Sequence, residues 1–209
     1  MQAAEILILT VITLLGVVGA ALVINVEALM MRKRGFIDEL PRVVRITFPV
    51  FMAALFGSGY IVFGLTPELA YLALMALLTA LITIIDVKHR LIPNTLVLAV
   101  FVITAAFAWS GGIEFDWLSS LYGLLICFGL FIIPLFFGDK VGMGDVKLAA
   151  AIGFASGFYG SLYTIILMGF FILATTYIQR GVPYVDVLKT KIPMGPFIMT
   201  AFMVIQVVV

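Results

Sequence analysis

Charge is scarce in this chain. Asp, Glu, Lys and Arg make up 11% of its 209 residues, against about 25% in an ordinary soluble protein. So little polar surface cannot solvate a globule of this size, which excludes a soluble enzyme, a disordered chain and a nucleic-acid module. Cysteine is nearly absent too. Cys127 stands alone, so there is neither a disulfide framework nor a Cys-x-x-Cys zinc site. His89 is the sole histidine, too isolated for a metal site and best read as a solvated boundary residue. What the chain does have is apolar: 64% hydrophobic residues, against a usual ~45–50%, and a mean hydropathy of +1.27. It reads as an all-α polytopic membrane protein, a single membrane-embedded domain over residues 1–209.

A membrane span needs about 20 mostly apolar residues, because the hydrocarbon core is ~30 Å thick and a helix rises 1.5 Å per residue. Such runs occur at Ile6–Met31, Ile46–Gly64, Leu69–Ile85, Ile92–Trp109 and Trp117–Phe137. Leu148–Gly157 and Tyr159–Ile178 follow with only a short Gly/Ser break, and Gly195–Val209 is the last. The expectation is a bundle of about eight hydrophobic helices, at least six of them full spans. The first segment follows Met1-Gln2-Ala3-Ala4-Glu5, without a basic region or a small-residue cleavage site, and is expected to be a retained helix.

The formal net charge of +1 says little, but the placement of the charges says a great deal. Arg32, Lys33, Arg34, Arg42 and Arg45 lie between the first two segments; Lys88 and Arg90 follow the third. Lys140 and Lys147 follow the fifth, and Arg180, Lys189 and Lys191 precede the last. The intervening ends carry only Glu5, Glu68, Glu114 and Asp116. By the positive-inside rule the basic loops 32–45, 86–91, 138–147 and 179–194 are cytoplasmic and the N-terminus is outside. Lys147 and Arg180 then share a side, so residues 148–178 cross twice or not at all. A short, tilted or re-entrant first segment satisfies that parity.

Few ionisable groups are placed for chemistry. Asp86 ends the third segment, in Ile-Ile-Asp86-Val-Lys88-His89-Arg90-Leu-Ile-Pro93-Asn94, and Asp145 opens the sixth, in Gly142-Met143-Gly144-Asp145-Val-Lys147. Both sit at the same membrane boundary. Two carboxylates that meet there cannot both ionise easily, so one stays protonated while the other activates water, as in an aspartic protease dyad. Plainer roles are open to each. Asp86 and Arg90 have the i, i+4 spacing of a surface ion pair worth ~0.2–0.5 kcal/mol. Asp145 suits a helix N-cap, a role that would also favour its charged form.

Gly142 and Gly144 permit positive φ and close backbone approach, suiting either a flexible turn or a loop that receives an extended peptide. Pro93 suits the first turn of the fourth span, and Pro193-Met194-Gly195-Pro196 forms a rigid lead into the last helix. Asn25 and Glu27 point to different faces of the first helix. Asn25 is expected to make an interhelical contact, Glu27 to snorkel or pair with Arg32 or Arg34, and Cys127 to pack in the membrane interior.

At these residues the sequence resembles the type IV prepilin peptidases and preflagellin peptidases, membrane aspartic proteases marked by Gly-x-Gly-Asp. Gly142-Met-Gly144-Asp145-Val-Lys147-Leu is similar to the family's second aspartate motif, and Asp86 with Arg90, Ile92, Pro93 and Asn94 to its first. Pro193-Met-Gly195-Pro196-Phe197 resembles the motif that opens the last helix; Gly19 and Asn25-Val26 match the first-helix pattern more weakly. The resemblance implies a peptidase of the cell membrane that removes the basic leader from pilin-like or archaellin-like precursors at the cytoplasmic face. Asp86 and Asp145 would be its catalytic pair, no cofactor would be needed, and the partners would be the precursors and membrane lipids. Asp38, Glu39, Asp139 and Asp186 would attract the basic leader.

One departure is informative. Many bacterial members carry Cys-x-x-Cys zinc ligands in a large first cytoplasmic loop and also N-methylate the product. Here the loop is the short basic stretch 32–45, without cysteine, which predicts peptidase activity without a zinc domain and without methyl transfer. Two other readings compete. Presenilin-like proteases carry Tyr-Asp and Pro-Ala-Leu where this chain has Ile85-Asp86 and Pro193-Met-Gly-Pro. A small proton- or cation-coupled transporter would place its carboxylates near the bilayer midplane, not at one edge.

Overall fold

The computed structural model describes residues 3–35, 41–136, 142–178 and 193–208. Among them are seven helices and no strand: α1 (Ala3–Arg32), α2 (Arg42–Phe63), α3 (Pro67–His89), α4 (Asn94–Trp109), α5 (Trp117–Phe136), α6 (Met143–Ile178) and α7 (Gly195–Val208). Five of these (α1, α2, α3, α5 and α6) are long and apolar enough to cross a membrane, and α4 and α7 are shorter apolar helices. The chain is an all-helical, multi-pass membrane protein.

Among the described residues the count is seven against the expected eight, because two of the expected segments run together across a kink. Segments 148–157 and 159–178 belong to one 36-residue element, α6, whose interior holds a single non-helical residue, Gly157, at φ 67 and ψ −172. The break was expected at this Gly, but no loop separates the two stretches. The backbone amide freed by the break, that of Phe158, donates to Ser119 Oγ of α5 at 2.9 Å. Ser161 Oγ in turn donates to the Gly157 and Gly153 carbonyls. These serines, one from α5 and one from α6 itself, satisfy backbone groups that lipid cannot.

Helix ends also differ from the hydropathy limits. Thr66 Oγ1 accepts the Leu69 amide at 3.3 Å with Pro67 at the first helical position, a favoured N-terminal arrangement. At its other end α3 runs past Ile85 to His89, so Asp86 lies inside the helix. Arg90 closes it with φ 50, its amide donating to the Asp86 carbonyl at 2.8 Å.

The chain divides into two units, Met1–Leu81 and Ile82–Val209. In the first, α1 packs along α2 through small residues. A Cβ on Gly16 would lie 2.6 Å from the Met52 carbonyl oxygen, and one on Gly57 would lie 2.8 Å from Thr13 Cγ2. Lipid tails are as apolar as leucine, so close backbone approach stands in for hydrophobic drive between such helices. Asn25 does not make the interhelical contact expected of it: its Nδ2 donates to Ala21 O of its own helix at 2.9 Å, which satisfies the amide without a partner helix. Glu27 does not snorkel, being buried.

In the second unit α5 packs most extensively on α6, with α4 and α7 also against α6. Gly123 and Gly153 bring the α5 and α6 backbones so close that a Cβ on either would strike the other's carbonyl oxygen. Cys127 is buried at this seam. At one end, Phe115, Trp117 and Phe154 pack ring on ring, with Phe115 4.8 Å from Trp117 and 5.4 Å from Phe154. Trp109 is exposed beside this cluster's loop, as aromatic residues are at a membrane interface. The aspartates lie at the other end of these helices.

Candidate active site

Every helix start leaves its first amides without an intrahelical acceptor, and its partial positive charge favours an anion nearby. In the second unit, three helix starts and the C-terminal turn of α3 supply the candidate site residues. At α7 the Phe197 and Ile198 amides close on Met194 O, making Met194 the cap and Gly195 the first helical residue. The Gly195 amide therefore has no helical acceptor. It donates to Asp86 Oδ2 at 2.9 Å in a buried contact.

This contact requires glycine for room. A Cβ on Gly195 would lie 2.8 Å from Asp86 Oδ2 and 3.2 Å from both its Cβ and Cγ. Pro196, at the second helical position, lacks an amide that would be unsatisfied anyway. Pro193 lies just before the cap, half-buried. Asp86 is not the surface residue of the ion-pair reading, although the charge of Arg90 still acts on it. Its side chain is 5% exposed and turned to α7.

At α6 the Asp145 and Val146 amides close on Gly142 O at 3.0 and 3.3 Å. Gly142 is thus the N-cap, and Asp145 is the third helical residue, which corrects the expectation that Asp145 caps the helix. Its carboxylate instead reaches back to accept the Gly142 amide, the return half of a capping box. Gly144 lies in the first turn of α6 without positive φ. Both glycines of the motif serve proximity. A Cβ on Gly142 would lie 2.7 Å from Asp145 Oδ2, and one on Gly144 3.0 Å from Ile92 Cβ and 3.5 Å from Ile92 O.

At α4 Pro93 is the cap, just outside the first turn where it was expected, with its carbonyl accepting the Leu96 and Val97 amides. Asn94 follows, and its Oδ1 accepts Lys147 Nζ of α6 at 3.2 Å. These contacts draw α3, α4, α6 and α7 together, and the Asp86 and Asp145 carboxylates are near enough for one charge to act on the other. Asp86 is enclosed; Asp145 is partly exposed. The site thus offers one held carboxylate and one reachable by water, each accepting a backbone N–H.

The family follows from the region holding these residues. A family model described as the type IV leader peptidase family matches residues 72–177, just over half of the chain. The chain belongs to this family. No curated protein and no solved structure matches it. The matched stretch of the leader peptidase contains Asp86, Pro93, Asn94, Gly142, Gly144 and Asp145, whereas Pro193, Gly195 and Pro196 lie beyond it. Among the described residues no group of three or more His, Cys, Asp and Glu side chains is placed to hold a metal. Asp38, Glu39, Asp139 and Asp186, expected to attract a basic leader, lie outside the described residues.

Two features of the site were not foreseen from sequence. The Gly195 amide as partner of Asp86 joins residues 109 apart in the chain; its only local signal is the Met-Gly-Pro helix start. The seat of Gly144 on Ile92 has no sequence signal beyond the glycine itself.

Proposed function

We propose that Asp86 and Asp145 are the catalytic pair of an aspartic leader endopeptidase that cuts type IV prepilin-like or preflagellin-like precursors. The observation that carries this reading is the convergence of two carboxylates from different helices, each accepting a backbone amide at a helix start. In the reaction one carboxylate takes a proton from water while the other, protonated, polarises the scissile carbonyl. The pair titrates as a unit, so the roles are properties of the dyad. Asp145, the more exposed of the two, is where water enters.

The charge asymmetry of the loops supports a cytoplasmic position for the aspartate end and an external N-terminus. A precursor's apolar segment then lies in the bilayer with its basic leader over the cytoplasmic loops. Methyl transfer is not part of this activity, since the 32–45 loop holds no cysteine ligands.

The test is cleavage by purified protein of tagged pilin-like and archaellin-like precursors, beside Asp86→Asn and Asp145→Asn. Wild type should cut before the apolar segment, and each variant should lose activity by about 10²–10⁴-fold while inserting normally. Substantial cleavage by either variant would overturn the dyad. Transfer of a labelled methyl group from S-adenosylmethionine to the product would overturn the restriction to proteolysis.

A further inference from the structure

A groove of about 420 Å³ opens between α4, α5 and α6, lined by Val97, Leu98, Phe101, Phe128 and Ala150, with Asn94 and Lys147 among its walls. Neither aspartate lines it. We propose that this groove binds an anionic phospholipid, one acyl chain among the apolar side chains and the phosphate on Lys147 and Asn94.

At the edge of the groove two side chains are placed to meet an anion. Lys147 Nζ can only donate, so the Asn94 atom facing it must be Oδ1, as the 3.2 Å contact has it. With that oxygen accepting from Lys147, the pair still offers several N–H donors, those remaining on the ammonium and both on Asn94 Nδ2. Asn94 is also the first residue of α4, where the helix end adds partial positive charge. Charge-assisted bonds to phosphate are the strong ones, and basic pockets between membrane helices are known headgroup sites.

The rest of the groove is apolar and suits an acyl chain. Val97, Leu98 and Phe101 lie along one face of α4, with Val97 and Ala150 buried and Leu98 and Phe128 exposed. The floor is therefore packed and the flanks face lipid. The lining is carbon along nearly all of its surface, which suits an acyl chain laid along it. Lys147 and Asn94 are at the same end of their helices as Asp145 and Pro93, so the phosphate sits at the membrane boundary with the tail running inward.

The test is native mass spectrometry of the detergent-purified full chain, titrated with phosphatidylglycerol or phosphatidylcholine, and it needs no peptidase activity. Wild type should retain one phosphatidylglycerol about tenfold or more tightly than phosphatidylcholine. Lys147→Ala should lose that preference, Lys147→Arg should restore it, and Lys88→Ala should leave it intact. Leu98→Trp, which fills the groove and spares the cation, should also weaken retention. Equal retention of the two lipids by wild type, or unchanged preference in Lys147→Ala, would overturn the proposal. So would loss in Lys88→Ala equal to that in Lys147→Ala, or full displacement of the lipid by inorganic phosphate. A photo-crosslinker at Leu98 should capture lipid; capture of a precursor's apolar segment in its place would assign the groove to substrate.

Discussion

Two groups of glycines in this leader peptidase leave no space for a Cβ, and what fills that space differs between them. At the aspartate end, Gly195 and Gly142 face carboxylate oxygens of Asp86 and Asp145. Along the helix seams, Gly16, Gly123 and Gly153 face backbone of a neighbouring helix. The first group brings amide donors to an anion at a helix start, where both the free N–H and the end charge favour it. The second brings helices together where lipid supplies no competing drive. On the function proposed above, one residue type with one steric signature thus serves both chemistry and helix assembly. The two uses separate when each glycine receives a methyl group.

The largest expected effect is at Gly195. In Gly195→Ala the new Cβ falls 2.8 Å from Asp86 Oδ2 and 3.2 Å from Asp86 Cβ and Cγ. The carboxylate has to turn away from the amide that orients it. Misplacement of a reacting group by about 1 Å costs on the order of 10²-fold in rate, so precursor cleavage should fall by at least that factor. The thermal midpoint in detergent should hardly move, because alanine favours a helix. A collapse in midpoint with the activity of the surviving fraction unchanged would place Gly195 with the assembly glycines.

Next comes Gly153, from the other group. Its Cβ would overlap the Gly123 carbonyl and lie 2.9 Å from Cys127 Cβ, and neither backbone nor a short side chain can swing aside. Overpacking of this kind costs about 1–3 kcal/mol. Gly153→Ala should lower the midpoint clearly, while molecules that remain folded cleave normally. Loss of cleavage at an unchanged midpoint would break the distinction.

How far these roles could be read beforehand follows from what hydropathy and spacing encode. The all-helical membrane class and most segments follow from apolar runs, because the bilayer imposes their length. Helix limits do not, since backbone hydrogen bonds continue past a charge: α3 reaches His89, four residues beyond the apolar stretch ending at Ile85. That extension puts Asp86 within a helix. Gly157 marked a break, but whether a glycine break carries a loop depends on a partner for the freed amide, and Ser119 supplies it from another helix. The two aspartates were legible through Gly-x-Gly-Asp and a shared membrane edge. The reason for the glycines was not: spacing allowed positive φ, whereas Gly142 and Gly144 are crowded by Asp145 and Ile92. A contact between residues as distant as Asp86 and Gly195 leaves no local trace at either position.

Gly144 tests an intermediate case, a site glycine crowded by packing instead of by a carboxylate. A Cβ would sit 3.0 Å from Ile92 Cβ, with the Ile92 backbone atoms at 3.5 and 3.6 Å. Buried Ile92 has to give by a few tenths of an ångström, so Gly144→Ala should reduce cleavage by roughly tenfold, about 1.4 kcal/mol. Ile92→Gly in the same chain should recover part of the loss, because it removes the Cβ that the new methyl group meets. Absence of any recovery would mean that the defect arises at Asp145, the next residue, and would move Gly144 into the group that faces a carboxylate.

The smallest effect, and the one with opposite sign, belongs to Gly129. It lies inside α5, and a Cβ there would meet nothing within 4 Å. No close approach and no positive φ call for glycine at this position. What remains is its conformational freedom in the unfolded chain and its weak helix preference, which together disfavour it by roughly 0.5–1 kcal/mol against alanine. Gly129→Ala should therefore raise the thermal midpoint slightly and leave precursor cleavage unchanged. Because Gly123 and Gly129 are on the same helix, the pair isolates crowding from propensity: the same substitution should destabilise at 123 and stabilise at 129. A destabilised Gly129→Ala would mean that a second molecule or a tightly held lipid packs on that face of α5, and crosslinking from residue 129 would identify which.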